Sequence, residues 1–285
     1  MKKISISFIS CVKNEINYVH QLYDSITKST PIFLDWNLIF IDDHSDDGTY
    51  ELLSKLVSKN KKVSLFTNKG HGKVLGTKTG IELASGKWIK FLDGDDYVSF
   101  NSLVKEDFNC DAFYHDYIRT NKSKQKIIHL SKSLASNPKS WKYELRSIPK
   151  AMFFAKTSLF KDLKGLDKCL FEDLYINQLI QRSAKKINKV DKCLYYYRQH
   201  ESNYYGDSFF GNSKKVKRLG KRINNMVEVL SIYFKNDKIN PSIIKYSDFL
   251  QKHSFKNLFS LFLSPKLFLK AIYYFFISKI NFNEN

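Results

Sequence analysis

Two acidic clusters offer most of the chemistry in this sequence. The first, Asp42-Asp43-His44-Ser45-Asp46-Asp47-Gly48-Thr49, directly follows the apolar run Trp36 to Ile41. A carboxylate at a strand tip can accept hydrogen bonds from a nucleobase N–H or a ribose hydroxyl. The same residue types build turns and cap helices, and Ser45, Asp46 and Asp47 read that way. For Asp42 and Asp43 both readings stand. The second cluster, Asp93-Gly94-Asp95-Asp96, follows Trp88 to Leu92. Three carboxylates so close repel one another unless a cation neutralises them. Mg²⁺ or Mn²⁺ takes one or two carboxylates together with substrate phosphates. Gly94 leaves room for a phosphate to approach. A solvated acidic turn is the plain alternative, and it fits a chain of net charge +19 less well.

Elements of a particular kind must hold these clusters. Residues 4–12 alternate and then run apolar, as a core strand does. Residues 16–28 place Ile16, Val19, Leu22, Tyr23 and Ile26 at helical spacing, and Pro31 stops the helix. Strands follow at 36–41, 62–66 and 88–92, with helices over 49–58 and 74–84 between them. That alternation predicts a parallel α/β sheet with right-handed crossovers. Ligands of such sheets bind beyond the carboxyl ends of the strands, where both clusters fall. Further on, 111–114, 151–155 and 192–198 read as strands and 173–184 as a helix. Residues 119–140 are polar and read as an exposed excursion, and 212–285 as helical and basic.

Taken in order, the motifs resemble family 2 glycosyltransferases of the GT-A fold. Lys13-Asn14-Glu15 ends the first strand, and Asp42 to Thr49 ends the second. A Gly-Lys loop leads into a helix from Gly72-Lys73 to Gly80-Ile81. Ala84-Ser85-Gly86-Lys87-Trp88-Ile89-Lys90-Phe91-Leu92-Asp93-Gly94-Asp95-Asp96 matches the family's metal-binding strand end. Gly165-Leu166-Asp167 with Glu172-Asp173, and Tyr197-Arg198-Gln199-His200, resemble its later motifs.

The resemblance implies a Rossmann-like, mainly parallel sheet over 1–211, with a nucleotide-sugar half (1–96) and an acceptor half (97–211). A basic helical extension follows over 212–285. It implies inverting transfer from a nucleotide-diphosphate sugar, UDP-linked, to a hydroxyl of a surface polysaccharide or lipid-linked glycan. Asp42 and Asp43 would hold the nucleotide, helped by Asp93. Asp95, Asp93, Asp96 and His200 would hold Mn²⁺ or Mg²⁺. Lys73 or Lys78 would face the phosphates, because Thr77-Lys78-Thr79 stands where the family commonly places Arg or Leu, then Asn, before the glycine at 80. Arg198 would reach the diphosphate. Asp173 would be the general base, beside Glu172, although both acids also suit the first turn of a helix.

Composition bounds the alternatives. Apolar residues make up 43% of the 285, and Gly (11) and Pro (5) are scarce, which excludes disordered and collagen-like classes. The four cysteines are far apart and form no C-x-x-C pair, so neither a zinc knuckle nor a disulfide framework is indicated. No signal h-region follows Met1, which points to the cytoplasm. A nucleotidyltransferase would carry a Gly-rich basic loop after the first strand, where Cys11 to Tyr18 has no glycine. A nucleic-acid-binding protein would explain the charge but not the acidic clusters, so no nucleic-acid partner is expected.

Residues 212–285 hold 14 of the 47 Lys and Arg and only 4 of the 28 acids. The Phe- and Tyr-rich run after Leu258 is interrupted by Pro265, Lys266 and Lys270, too soon for a span of ~20 apolar residues. It reads either as an interfacial element on the inner face of the membrane or as helices packed on the domain. If it binds membrane, deleting about the last 30 residues releases the protein from anionic vesicles while transfer to a small soluble acceptor continues. Each Lys or Arg near such a surface is worth ~1 kcal/mol, so binding also weakens with salt. Co-sedimentation with anionic and neutral vesicles at two salt concentrations checks this. A full-length chain that ignores anionic vesicles rejects the membrane reading.

Overall fold

The strand β1 (Ile4–Val12) is buried along most of its length. It lies between two parallel neighbours, β2 (Leu34–Asp42) on one side and β4 (Trp88–Asp93) on the other. β3 (Val63–Thr67) runs parallel outside β2. The crossovers are α1 (Val19–Ser29), α2 (Thr49–Lys59) and α3 (Lys73–Leu83). Parallel strands need such crossovers, and strands covered on both faces read as near-continuous apolar runs. These elements agree with the sequence expectation to within three residues at each end. The computed structural model describes residues 3–121, 124–130 and 148–200, with seven scattered positions between 220 and 248.

The strand order is β3-β2-β1-β4, so the chain turns back between β1 and β4. At that switch point the loops diverge and leave a crevice above the carboxyl ends of both strands. Beyond β4 the sheet becomes mixed. β8 (Phe153–Lys156) is antiparallel to β4, and β6 (Ala112–Thr120) is antiparallel to β8. β9 (Ile187–Arg198) is parallel to β6, and the two-residue β5 (Tyr97–Val98) closes the far edge against β9. In sequence β5 follows β4 by only three residues. The sheet therefore curls, returning the end of β9 to the crevice. The helix α4 (Glu172–Ser183) precedes β9.

The segment 119–140, expected as a polar, exposed excursion, begins as a hairpin whose second strand is exposed. β6 continues to Thr120 and pairs with β7 (Gln125–Ile128), and the Lys124 backbone N–H donates to Asn121 Oδ1 at 2.7 Å in the turn. Residues 131–140 lie outside the described residues. The strand expected from Ala151 starts at Phe153, because Lys150–Met152 form a 3₁₀ turn after Pro149. The strand expected at 192–198 starts earlier, at Ile187, drawn out by its pairing with β6. The helices expected over 212–285 fall almost wholly outside the described residues. Among the described residues no helix is long and apolar enough to cross a membrane.

Aromatic rings fill the core between sheet and helices. Phe113 stacks on Phe154 at 4.7 Å and Phe8 on Phe100 at 5.4 Å, while Trp88 meets Phe108 edge-on at 5.0 Å. Offset and edge-to-face pairs of this kind add ~0.5–1.5 kcal/mol beyond area burial. Two units divide the chain. The first comprises Met1–Pro138, Ile148–Asp167 and Glu172–Arg198. The second comprises Lys139–Ser147, Lys168–Phe171 and Gln199–Asn285. Within the second, Asn225 donates to the Lys168 carbonyl and accepts from the Leu170 N–H.

Gly86 marks the closest approach of backbone to backbone. Its N–H donates to Ser7 Oγ at 2.9 Å, and an added Cβ would lie 2.5 Å from the Ser7 nitrogen and 2.6 Å from the Ile6 carbonyl carbon. Neither atom can rotate away. Gly86→Ala is therefore expected to cost roughly 3 kcal/mol of stability, read as an earlier urea midpoint. An unchanged midpoint would show that the β4 entry is looser than this packing.

Candidate active site

The Asp42–Thr49 loop is stitched to the loop after β1. The Asn14 N–H donates to Ser45 Oγ at 3.0 Å, and Asn14 Nδ2 to Asp46 Oδ1 at 2.8 Å. The Ile16 N–H donates to Asp47 Oδ2 at 3.1 Å, and the Thr49 N–H to Asp47 Oδ1 at 2.9 Å. Ser45, Asp46 and Asp47 are thus turn and cap residues, as their types suggested. Asp42 and Asp43 differ, for both are buried at the strand end. Asp42 Oδ2 accepts from the Ser45 N–H, while its Oδ1 is buried with no hydrogen-bond partner among the described residues. Asp43 accepts from Asn68 Nδ2 at 2.7 Å and from the Gly72 N–H at 2.8 Å, which ties β2 to the loop entering α3.

Register places the second cluster relative to the first. Cys11 of β1 is level with Ile41 of β2 and with Asp93 of β4. Asp42 and Asp93 therefore end strands on either side of β1, about 10 Å apart at the usual strand spacing. Gly76 of α3 sits so close to β1 that a Cβ there would meet Cys11 Sγ at 2.3 Å. Burial, opposed by Lys73, pushes the Cys11 thiol up to about 12, so it is protonated and no nucleophile.

The lysine at the start of α3 reaches across this gap. Lys73 Nζ lies 2.5 Å from Asp93 Oδ1. Burial works against its charge, but Asp93, Glu172 and Asp173 together raise Lys73 well above the ordinary lysine value. Asp93 responds in kind. Burial alone would raise it, yet Lys73 and Lys150 hold it well below the usual carboxylate range. Lys78, on the same helix, is half-buried and forms no ion pair among the described residues.

Asp93 and Asp95 are part-exposed, whereas Asp96 is 0% exposed. Asp96 Oδ1 accepts from the Arg198 backbone N–H at 2.7 Å. Burial, reinforced by Asp95 and Asp93, pushes Asp96 well above its usual range. Burial and the neighbouring Asp95 likewise raise Glu15 to about 8. Asp93, Asp95, Asp96 and Glu15 thus crowd one end of the cleft, and their repulsion is felt at Glu15 and Asp96.

Arg198 joins this region through its backbone. Its guanidinium donates to Gln21 Oε1 at 2.6 Å and stacks over the Tyr18 ring at 4.6 Å, rather than pairing with Asp93 or Asp95. His200 belongs to the second unit.

The third group comes from α4. Glu172 and Asp173 occupy its first turn, where the helix dipole favours acids. Lys150 Nζ lies 2.8 Å from Glu172 Oε1 and 3.6 Å from Asp173 Oδ1, and the Lys150 backbone N–H donates to Asp173 Oδ1 at 3.1 Å. The two neighbouring acids are thereby driven apart. Glu172 resists burial because Lys150 holds it below its usual value, while burial raises Asp173 despite Lys150.

Residues 7–155 match the profile described as glycosyl transferase family 2. This chain belongs to that family. An uncharacterised Haemophilus influenzae glycosyltransferase is 34% identical over 102 residues, 35% of this chain and 40% of that one. The Mycoplasma genitalium glycosyltransferase MG060 is 23% identical over 269 residues, covering 90% of this chain and 86% of its own. TarP of Staphylococcus aureus, a poly(ribitol-phosphate) beta-N-acetylglucosaminyltransferase, is 26% identical over 216 residues, 75% of this chain and 59% of TarP. The chain therefore spans less than two thirds of the length of some of its relatives.

Two solved structures share the GT-A fold. S. aureus TarS 1–349 in complex with UDP-GlcNAc superposes with a TM-score of 0.56 at 17% identity, covering 99% of this chain and 92% of that one. The Pyrobaculum calidifontis mannosyltransferase PcManGT, with GDP-Man and Mn²⁺, gives 0.54 at 13% identity, covering 95% and 76%.

Two lysines of this family 2 chain escaped the sequence reading. Lys150 precedes an apolar run and carries no local mark of its role. Lys90 was visible as one charge inside the strand run 88–92. Fully buried, it donates to the Ala151 carbonyl and to His115 Nε2, whose Nδ1–H is committed to the Asp116 carbonyl. Burial holds Lys90 and His115 both well below their ordinary values. Lys90 also lies over the ring of Tyr195, whose hydroxyl accepts from the Asp93 N–H.

Replacing Lys150 tests this arrangement. Lys150→Met leaves Glu172 buried and uncompensated, at an expected cost of ~3 kcal/mol, and adding Glu172→Gln restores much of it. The folded value of Glu172 is depressed. The pair therefore stabilises fully above its ordinary value of 4.5, and the gain is lost as pH falls through the depressed value. Urea unfolding of wild type, single and double variants from pH 3 to 7 measures both effects. Additive losses would dissolve the proposed pairing.

Proposed function

We propose that this chain is an inverting glycosyltransferase. It moves a sugar from a UDP-linked donor to a hydroxyl of a surface polysaccharide or lipid-linked glycan. The observation that carries this reading is the split pair in the first turn of α4. Lys150 neutralises Glu172 and leaves Asp173 as a carboxylate of raised basicity, within electrostatic reach of Asp93 and Lys73. Neighbouring carboxyl groups driven apart in pKa mark an acid–base site.

Each residue then has a task. Asp42, whose Oδ1 is unpartnered among the described residues, and Asp43 receive the nucleoside at the tip of β2. Lys73 faces the diphosphate beside Asp93. Asp173 takes the proton of the acceptor hydroxyl as that oxygen attacks the anomeric carbon and the bond to the diphosphate breaks. One displacement inverts the centre and needs no protein nucleophile, in keeping with the protonated Cys11.

The crowding of Glu15, Asp93, Asp95 and Asp96 at the tip of β4 suits a hard divalent cation. Asp95 and Asp93 would hold it, while Asp96 anchors β9 through Arg198. Bound there, Mn²⁺ or Mg²⁺ would supply charge neutralisation for the leaving diphosphate. UDP-GlcNAc on TarS and the poly(ribitol-phosphate) chemistry of TarP support the donor and acceptor classes.

A nucleotide-sugar panel with several metals, read by nucleotide release and acceptor glycosylation, tests the reading. Asp173→Asn is expected to lower kcat by at least ~10²-fold while nucleotide binding is kept, because a base acts on the acceptor. Wild-type kcat/KM should rise with pH through a value above 3.8, the ordinary aspartate value, since the base works deprotonated and burial raises it. Asp95→Asn should mimic removal of metal. Donor binding lost in Asp173→Asn reassigns that residue, and full activity in excess EDTA removes the cation from the scheme.

A further inference from the structure

A second cluster of ligating side chains lies at the tip of β2, apart from the acidic turn after β4. One ligand atom from each of Asp43, His44 and His71 lies within 4.8 Å of the other two. Their elements differ: Asp43 ends on the strand tip, His44 follows it, and His71 comes from the loop before α3. The imidazole rings of His44 and His71 are 4.5 Å apart.

The local structure fixes two of the three. Asp43 is held by Asn68 and by the Gly72 N–H, and a carboxylate with about four lone-pair sites still has capacity for a metal. His44 sits at φ +59°, and its Nε2 is 2.9 Å from the Gly70 carbonyl. A carbonyl only accepts, so Nε2 carries the proton and the Nδ1 lone pair is left as the ring's donor to a metal. A ligating histidine is commonly oriented in this way, by giving its other N–H to a backbone carbonyl. The third ligand, His71, is exposed and can rotate.

We propose that Asp43, His44 and His71 form a binding site for a late first-row divalent ion of the Zn²⁺ class. Two imidazoles and one carboxylate suit Zn²⁺, whereas the all-oxygen turn at Asp93–Asp96 suits Mg²⁺ or Mn²⁺. Around a tetrahedral Zn²⁺ with bonds of ~2.05 Å, ligands stand about 3.3 Å apart. The ligand atoms, within 4.8 Å of one another, must draw in to that spacing, and exposed His71 can rotate toward it. Three protein ligands leave a fourth position for water. Asp43 also receives the nucleoside in the function proposed above. The ion and the nucleobase would then exclude each other, a consequence that rests on that reading, whereas the metal site does not.

Equilibrium dialysis of Zn²⁺ against the full-length protein tests the site, with circular dichroism to verify folding. His71→Ala and His44→Asn should each weaken binding by at least about tenfold. Asn tolerates the left-handed backbone at position 44, and both histidines are exposed, so the fold should persist. Excess Mg²⁺, which suits the all-oxygen turn at Asp93–Asp96, should leave this binding in place. Wild-type protein that takes up no Zn²⁺, or histidine variants that bind it as wild type does, overturns the proposal. Uridine, which lacks the chelating diphosphate, should weaken Zn²⁺ binding in wild type. Binding lost in the histidine variants but indifferent to uridine upholds the metal site and removes the nucleoside from Asp43.

Discussion

Six carboxylates, those of Glu15, Asp93, Asp95, Asp96, Glu172 and Asp173, interact around the switch point of the sheet. Lys73 and Lys150 are the cations that let them stay there. Like charges in a partly dry cleft raise one another's pKa, so some must be neutralised by a partner and others protonated. Lys73 neutralises Asp93 and Lys150 neutralises Glu172, each at hydrogen-bond distance. The rest of the architecture delivers these groups. A close helix–strand contact at Gly76 brings α3 onto β1, a 3₁₀ turn presents Lys150, and the first turn of α4 presents its two acids.

The compensation is uneven. At the α4 end the lysine sits nearer to Glu172 than to Asp173, so it holds Glu172 down while burial raises Asp173. At the β4 end Asp93, Asp95 and Asp96 crowd together, and Glu15 adds to the crowding. Arg198, expected at the diphosphate, commits its guanidinium to Gln21 and Tyr18 instead.

The β2 end is organised by hydrogen bonds instead of charge. Backbone N–H groups of residues 14–16 satisfy Ser45, Thr49 and Asp47, which converts a run of polar residues into a rigid loop. That rigidity holds Asp42 and Asp43 at the strand tip. It also holds His44 in a left-handed conformation that a flexible loop would not retain.

The sequence by itself determined the parallel half of the fold. Alternating apolar strands and amphipathic helices have local periods, and strand ends are marked by the residues that stop them, so Asp42 and Asp93 could be placed at carboxyl ends before any coordinates. The turn role of Ser45, Asp46 and Asp47 was legible too, because capping is a local interaction. Tertiary structure alone decided the charge pairing. Lys150 meets Glu172 across 22 positions and Lys73 meets Asp93 across 20, separations at which no periodicity carries information. Arg198 read as a phosphate ligand, but the curl of the sheet turned its side chain toward α1. Lys90 stood in plain sight inside an apolar strand, and only the approach of His115 and Ala151 from other elements made its burial tenable. Local pattern fixes where a side chain emerges from the backbone, and the partners that set its charge come from elsewhere in the chain.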